Sequence, residues 1–393
     1  MNGGEHFLEV AHWQYRKHGQ NADGDVFLSR RIKEEDRVIT VLSDGLGSGV
    51  KANVLATLTA TMAAKYTENY TDVKQTAQVI LDTLPVCSVR KISYSTFTIV
   101  DIDAEGHARI VEHGNPPYVL LRGGRVIDIP KQVVTLDLWQ DREVLFSEFK
   151  TEMGDYILVF SDGIPQAGMG TRALPLGWGV ENITRFAAAM IASQSAVSAG
   201  ELARALADQA RALDGGVPKD DMTAAGIYRR QPRRLLVVTG PPFAREKDKE
   251  LAQQVRDFPG RKVICGGTTA SIIARELRRK VVMSLDQFSA DVPPVSRMQG
   301  VDLITEGTLT LGRVAELLEK GPAAESGPPT AANLLAAELL DSDQIQFVVG
   351  TRINEAHQDP NTPIELEMRR NLVTRIMRTL EEKYLKETHR RYV

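Results

Sequence analysis

Cysteine is nearly absent: the 393 residues hold 2, Cys87 and Cys265, far apart in the chain. That excludes a disulfide framework and a cysteine zinc site, and it fits a reducing compartment. An excess of one charge is also lacking. The 48 Lys and Arg nearly balance 51 Asp and Glu, a formal net of -3, so no electrostatic footprint for nucleic acid is present. No uncharged apolar run approaches the ~18 residues of a membrane helix. "MNGGEHFLEV" at the start has neither the basic nor the apolar region of a secretory signal. The expectation is a cytoplasmic protein that engages neither nucleic acid nor membrane. No internal repeat of clear period is seen, and a chain of this length is expected to form two domains.

The first half is rich in strand patterns. "HFLEVAHWQY", "DVFLSRRI", "RVITVLSD", "YSTFTIVDID", "HARIVEH", "PYVLLRGGRVIDI", "EVLFSEFK", "DYILVFSDG" and "MTAAGIYRR" carry β-branched and aromatic residues in short runs. "RGG" at Arg122–Gly124 reads as a hairpin turn. Helical patterns run from Lys51 to Tyr66, Asp72 to Leu84, Val180 to Ser193 and Ala199 to Leu213. Many hairpin-linked strands with two helix pairs predict an α+β layered domain with antiparallel sheets.

"RRQPRR" at Arg229–Arg234 reads as a linker, setting expected domains of 1–230 and 231–393. Beyond it strands and helices alternate: "LLVVTG", "EKDKELAQQVRDF", "RKVIC", "ASIIARELRR", "VDLIT" and "QIQFVVG". That alternation predicts a smaller α/β domain with a mainly parallel sheet. "EKGPAAESGPPTAAN" interrupts it as a loop. The chain is expected to end in a long helix. Thr362, Pro363 and Glu365 fit its N-terminus, and Met368, Leu372, Ile376, Leu380 and Tyr384 form an apolar stripe. Two uses of that stripe stay open, packing within the chain or pairing two copies as a homodimer.

The chemistry lies in repeated strand ends. "VLSDGLGSG" (Val41–Gly49) and "VFSDG" (Val159–Gly163) each close an apolar run with Ser-Asp-Gly, and "PKDDMTAAGI" places Asp220 and Asp221 before another strand. An Asp-Gly after a strand is more often only a turn; three such acidic strand ends together point further. Hard divalent cations, Mg²⁺ or Mn²⁺, take oxygen ligands. Two such ions about 3.5–4 Å apart can make hydroxide from water and clamp a phosphate. A glycine after the aspartate permits close backbone approach and frees its carbonyl toward a metal.

The set "GDVF" (Gly24–Phe27), "SDGLGSGVKA" (Ser43–Ala52), "HGNPPYVLLRGG" (His113–Gly124), "FSDGI" (Phe160–Ile164) and "KDDMTAAGI" (Lys219–Ile227) resembles the PP2C-type metal-dependent serine/threonine phosphatases, in their bacterial SpoIIE-like branch. The resemblance spans the first domain and implies a β-sandwich flanked by helix pairs. It implies two Mn²⁺ or Mg²⁺ ions and a phosphoprotein substrate attacked by a metal-activated water. By position, Asp44 would bridge both ions with the Gly45 carbonyl on one, Asp162 would bind one and Asp220 the other, so Asp44, Asp162 and Asp220 carry catalysis. Asp221 stands where relatives often have asparagine and would give support, although the two neighbours could exchange roles. Asp25 matches an acidic position near the ions; an exposed aspartate at a strand start is the alternative. The branch also implies regulation through the helices after the first "SDG", here from Val50. No arginine aligns with the phosphate-binding arginine of the animal-type enzymes.

In the second half Gly266, Gly267, Thr268 and Thr269 stand at a helix start, where unpaired amides favour a small anionic ligand; a tight structural turn is the equal alternative. Glu306 and Gly307 end a neighbouring strand, and two polar strand ends can meet at a ligand crevice. His113 before "GNPP" reads as a turn residue rather than a general acid, and Trp139 and Trp178 as packing anchors. The leading expectation is a phosphatase regulated by its second domain. The alternatives are a metal-binding scaffold of the same fold, and an ATPase of the histidine-kinase type. The second "SDG" and the "DDMT" strand have no place in that ATPase.

Overall fold

The structure is a computed structural model that describes residues 6–69, 73–83, 95–134, 143–194, 197–283, 296–321, 330–352 and 362–393. Cys87, Trp139 and most of the Pro/Gly/Ala loop lie outside these residues, as do the side chains of Thr362, Pro363 and Glu365. The chain divides into two compact units, Met1–Gln231 and Pro232–Val393.

The first unit runs β1 (Phe7–Tyr15), β2 (Asp25–Ile32), β3 (Arg37–Gly45), α1 (Val50–Glu68), α2 (Val73–Thr83), β4 (Ser95–Ile102), β5 (His107–His113), β6 (Val119–Arg122), β7 (Arg125–Ile127), β8 (Gln132–Val134), β9 (Val144–Lys150), β10 (Tyr156–Phe160), α3 (Val180–Ser193), α4 (Ala199–Leu213) and β11 (Met222–Arg230). One sheet is ordered β1-β11-β10-β6-β7 and the other β2-β3-β4-β5-β9-β8, and their pairings are antiparallel.

Period-2 alternation builds the layers. In β3, Val38 and Leu42 face the core between the sheets with Ile110, Ile157, Val159 and Ile227. The intervening Ile39 and Val41 face the other way, against Ala60, Ala63 and Ile80 of α1 and α2. In β10, Leu158 and Phe160 turn outward to meet Ile183, Leu202 and Leu206 of α3 and α4. The result is an αββα sandwich. Ser198 starts α4 with a reciprocal capping box to Glu201. Gly123 and Gly124, with φ of 56° and 74°, make the β6–β7 hairpin turn, a left-handed pair that side chains disfavour. Arg37 is 1% exposed at the far end of β3. It donates to Asp101 at 2.7 and 2.9 Å and to the Thr67 carbonyl at 2.6 Å, tying the C-terminus of α1 to the sheet.

The second unit runs β12 (Arg234–Thr239), α5 (Asp248–Asp257), β13 (Arg261–Cys265), α6 (Gly267–Leu277), β14 (Val281–Met283), β15 (Ser296–Met298), β16 (Val301–Thr305), α7 (Thr308–Lys320), α8 (Ala331–Leu340), β17 (Gln344–Val349), α9 (Thr362–Tyr384) and β18 (Glu387–Tyr392). Its sheet is ordered β14-β15-β16-β13-β12-β17-β18. It is parallel from β16 to β18 and antiparallel at the β14–β15 edge. Helices cover both faces, α7, α8 and α9 on one and α5 and α6 on the other.

Two expectations need correction here. The chain does not end in a helix. Leu385 takes a φ of 54° just past α9, and the last residues form β18 parallel to β17. "ETHRRY" has no strand-like apolar alternation, so its extended form depends on the partner strand. The stripe on α9 also drifts. Val373, Ile376 and Leu380 are fully buried in the unit's core while Met368 is 48% exposed. A helix of 3.6 residues per turn rotates a strict four-residue row off the buried face.

Candidate metal centre

The five aspartates meet at one end of the sandwich. β2 and β3 pair with Asp25 opposite Asp44, and by alternation both lie on the side of the inter-sheet core. β11 brings Thr223 to the same end from the other sheet, and its hydroxyl donates to Asp25 at 2.7 Å. Asp25 is 2% exposed, so it is not the exposed strand-start residue that was the alternative for it. The backbone of Asp44 is held from behind. Its carbonyl accepts from the Ser95 hydroxyl at 3.0 Å, and Asn115 donates to the Leu42 carbonyl at 3.3 Å and to Thr98 at 3.0 Å. "HGNPP" therefore buttresses the end of β3, and His113 bonds the Glu143 carbonyl through Nδ1 at 3.0 Å.

Gly24, Gly45 and Gly163 are demanded by close approach rather than by unusual torsions. A Cβ on Gly45 would lie 2.2 Å from the Ala52 carbonyl oxygen in α1, and one on Gly163 would lie 2.1 Å from that of Asp221. A Cβ on Gly24 would come within 2.7 Å of Asp221 Oδ2. Asp221 accepts from the Lys17 N–H at 3.0 Å and from the Gly24 N–H, which pins both ends of the β1–β2 connection. Asp220 is more open and pairs with Lys17 Nζ at 3.2 Å. Asp162 accepts from Gln166 Nε2 at 2.9 Å.

The electrostatics are unfavourable without added positive charge. Burial, then Asp25, Asp162, Asp220 and Asp221, push the Asp44 carboxyl up to about 9. Burial lifts Asp25 to about 7 against the bonds from Ser161 and Thr223. Asp162 is raised by burial and by Asp220, and Asp221 by burial despite its two amide bonds. Each shift means that the ionised form lacks compensation. Oxygen donors of one sign, which among the described residues form one ion pair, with Lys17, fit hard divalent cations. They are not gathered into one tight cage. Among the described residues the group of three ligand atoms within 4.8 Å of one another is Asp103, Glu105 and His107, on the β4–β5 turn. There the Asp103 carboxylate is engaged by the His107 N–H and ring.

Sequence reasoning missed Lys17, Ser161, Thr223 and Gln166 as members of this end. For Ser161 and Thr223 the signal was present in the alternation of β10 and β11. For Lys17, in an irregular connection, there was none.

A model of the family Stage II sporulation protein E (SpoIIE) matches residues 34–230, just over half of the chain. The chain belongs to the SpoIIE family. Its first unit is thus a PP2C-type phosphatase domain. Lys17 and Asp25 precede the matched stretch, and the fold carries them into the site. The SpoIIE-family chain is similar in structure to the phosphatase domain of SpoIIE from Bacillus subtilis, with 19% identity and a TM-score of 0.44 over 58% of this chain and 94% of that one. It is also similar to RsbX in complex with magnesium (19%, 0.40, covering 57% and 96%). A further similar structure is the catalytic domain of the serine/threonine phosphatase PstP with two manganese ions (16%, 0.38, covering 57% and 100%). No curated protein matches the chain.

In the second unit β13 and β16 are neighbours, which brings their two polar ends together. The Gly266 N–H donates to the Thr305 carbonyl at 2.9 Å. α6 begins at Gly267, without a side-chain cap. Thr268 is exposed and Thr269 buried within its first turn, and Glu306 is exposed. Among the described residues no helix is long and apolar enough to cross a membrane.

Proposed function

We propose that this protein is a divalent-metal-dependent phosphatase acting on phosphoserine and phosphothreonine in proteins. The reading is carried by the five aspartates converging on one end of the sandwich, with the carboxyls of Asp25, Asp44, Asp162 and Asp221 pushed upward by burial and by neighbouring aspartates. Asp44 would hold both ions, the Gly45 carbonyl one of them, Asp162 one and Asp220 the other. Mn²⁺ or Mg²⁺, when bound, supplies an activated water and neutralises phosphoryl oxygens. The chain's own residues do the positioning. Thr223 and Ser161 orient the buried Asp25. Ser95 fixes the peptide of Asp44. Asp221 braces the loop that carries Lys17. No protein nucleophile is required.

The second unit is assigned a regulatory part. It has its own two-faced core, and the five aspartates all belong to the first. An anionic ligand would meet the uncapped amides at Gly266, Gly267, Thr268 and Thr269. The test is manganese-dependent release of phosphate from p-nitrophenyl phosphate and from phosphoserine peptides. Turnover should vanish with EDTA and persist in residues 1–231 expressed alone. A folded, manganese-loaded chain that releases no phosphate from either substrate would refute the reading.

A further inference from the structure

The β1–β2 connection is fastened to the segment that carries the two neighbouring aspartates. The Lys17 N–H donates to Asp221 Oδ1 at 3.0 Å, and the His18 N–H donates to the Pro218 carbonyl at 3.0 Å. Asn53 Nδ2 of α1 holds the Asp23 carbonyl at 2.8 Å. Lys17 therefore has a fixed backbone and a partly exposed side chain. Its ammonium lies 3.2 Å from Asp220 Oδ1, with the two side chains 33% and 40% exposed. Among the described residues no other lysine or arginine forms an ion pair with Asp25, Asp44, Asp162, Asp220 or Asp221.

We propose that Lys17 is the chain's own contact to the phosphoryl oxygens of the substrate, an inference that rests on the phosphatase reading. The pair with Asp220 is half open to solvent, and such pairs are weak and exchangeable. An ion taken up by Asp220 competes directly with the ammonium. The released group keeps three donors and a compact charge on a flexible stem, tethered at the mouth of the site. A phosphate monoester approaching five carboxylates meets repulsion, and among the described residues Lys17 is the cation paired with one of them and placed to offset it. The assignment also predicts opposite effects on cation and anion. Lys17 repels a metal ion at Asp220 and attracts phosphate, whereas a brace for the 218–221 segment would support both.

The experiment uses the full chain, as wild type, Lys17→Met and Lys17→Arg. Manganese binding is measured by calorimetry, and inorganic phosphate binding to the manganese-loaded protein likewise. For Lys17→Met we expect manganese affinity equal to wild type or higher. Phosphate affinity should fall about tenfold, the ratio of one ~1.4 kcal/mol contact, with KM for p-nitrophenyl phosphate rising in step. Lys17→Arg should recover most of the phosphate affinity. Phosphate affinity unchanged in Lys17→Met, or a parallel loss of manganese and phosphate, would overturn the assignment. If the wild type hydrolyses p-nitrophenyl phosphate while Lys17→Met binds phosphate normally, Lys17 alone is misassigned. If the wild type binds manganese and phosphate in a Lys17-dependent way yet hydrolyses nothing, the anion contact stands and the phosphatase reading falls.

Discussion

Gly163→Ala places one methyl group where the two halves of the acidic site touch. The new Cβ would sit 2.1 Å from the Asp221 carbonyl oxygen and 3.1 Å from its carbon. Ordinary contact begins near 3.4 Å, so the strand ends must part by more than 1 Å or the turn must be rebuilt. Neither neighbour is the tip of a flexible side chain. Parting them strains the Ser161 N–H to Thr223 carbonyl bond and the Thr223 N–H to Ser161 hydroxyl bond, both 3.0 Å. Overpacking of this kind costs about 1–3 kcal/mol, and a weakened buried hydrogen bond adds about 1 kcal/mol. A loss of about 2–4 kcal/mol should lower Tm by roughly 5–10 °C at this domain size. Because Asp220 and Asp221 move away from Asp162, manganese affinity should fall as well. The assay is thermal melting by circular dichroism, with and without manganese. Gly200→Ala serves as control. Its Cβ would meet Ala11 Cβ at 3.5 Å within α4, and a helical Gly→Ala change gains roughly 0.5–1 kcal/mol. If Gly163→Ala melts together with wild type and binds manganese equally well, the close-approach argument for the motif glycines is wrong.

Asp44→Asn should remove manganese-dependent turnover while raising the melting temperature of the ion-free protein, since a carboxyl pushed up to about 9 resists ionisation where it lies; lower ion-free stability would count against that account. The pH dependence follows with a definite sign. Asp44 and Asp25 have folded values above the ordinary 3.8, so their contribution is complete below about pH 4 and lost as pH rises through about 7 and 9. Ion-free melting temperature should therefore decline between pH 5 and 9, and saturating manganese should flatten the decline; a rise over that range would contradict the shifts. Arg37→Met should cost about 3–4 kcal/mol in urea unfolding, the lower part of the range for a broken buried pair, because Arg109 stays 2.7 Å from Asp101. A cost under about 1 kcal/mol would mean that the pair is dispensable.

By itself the sequence determined the layers and which strand ends carry carboxylates. Val38, Ile39, Val41 and Leu42 assign β3 two apolar faces, and a strand with two apolar faces must be covered on both. The boundaries of α3 and α4 were legible because α3 begins just after Gly179 and Ser198 caps α4. "SDG", "SDG" and "DDMT" placed carboxylates at three strand ends through residue type alone. Tertiary structure decided everything that depends on a partner distant in the chain. Asp25 became a buried member of the site because β2 pairs in register with β3 and Thr223 arrives from the other sheet. β18 exists because β17 offers an open edge to a segment with no apolar alternation of its own. Lys17 faces Asp220 across 203 residues of sequence. The physical reason is range: periodicity and capping act over a few residues and are written locally. Register, burial of charge and the meeting of strand ends arise only when separate segments pack.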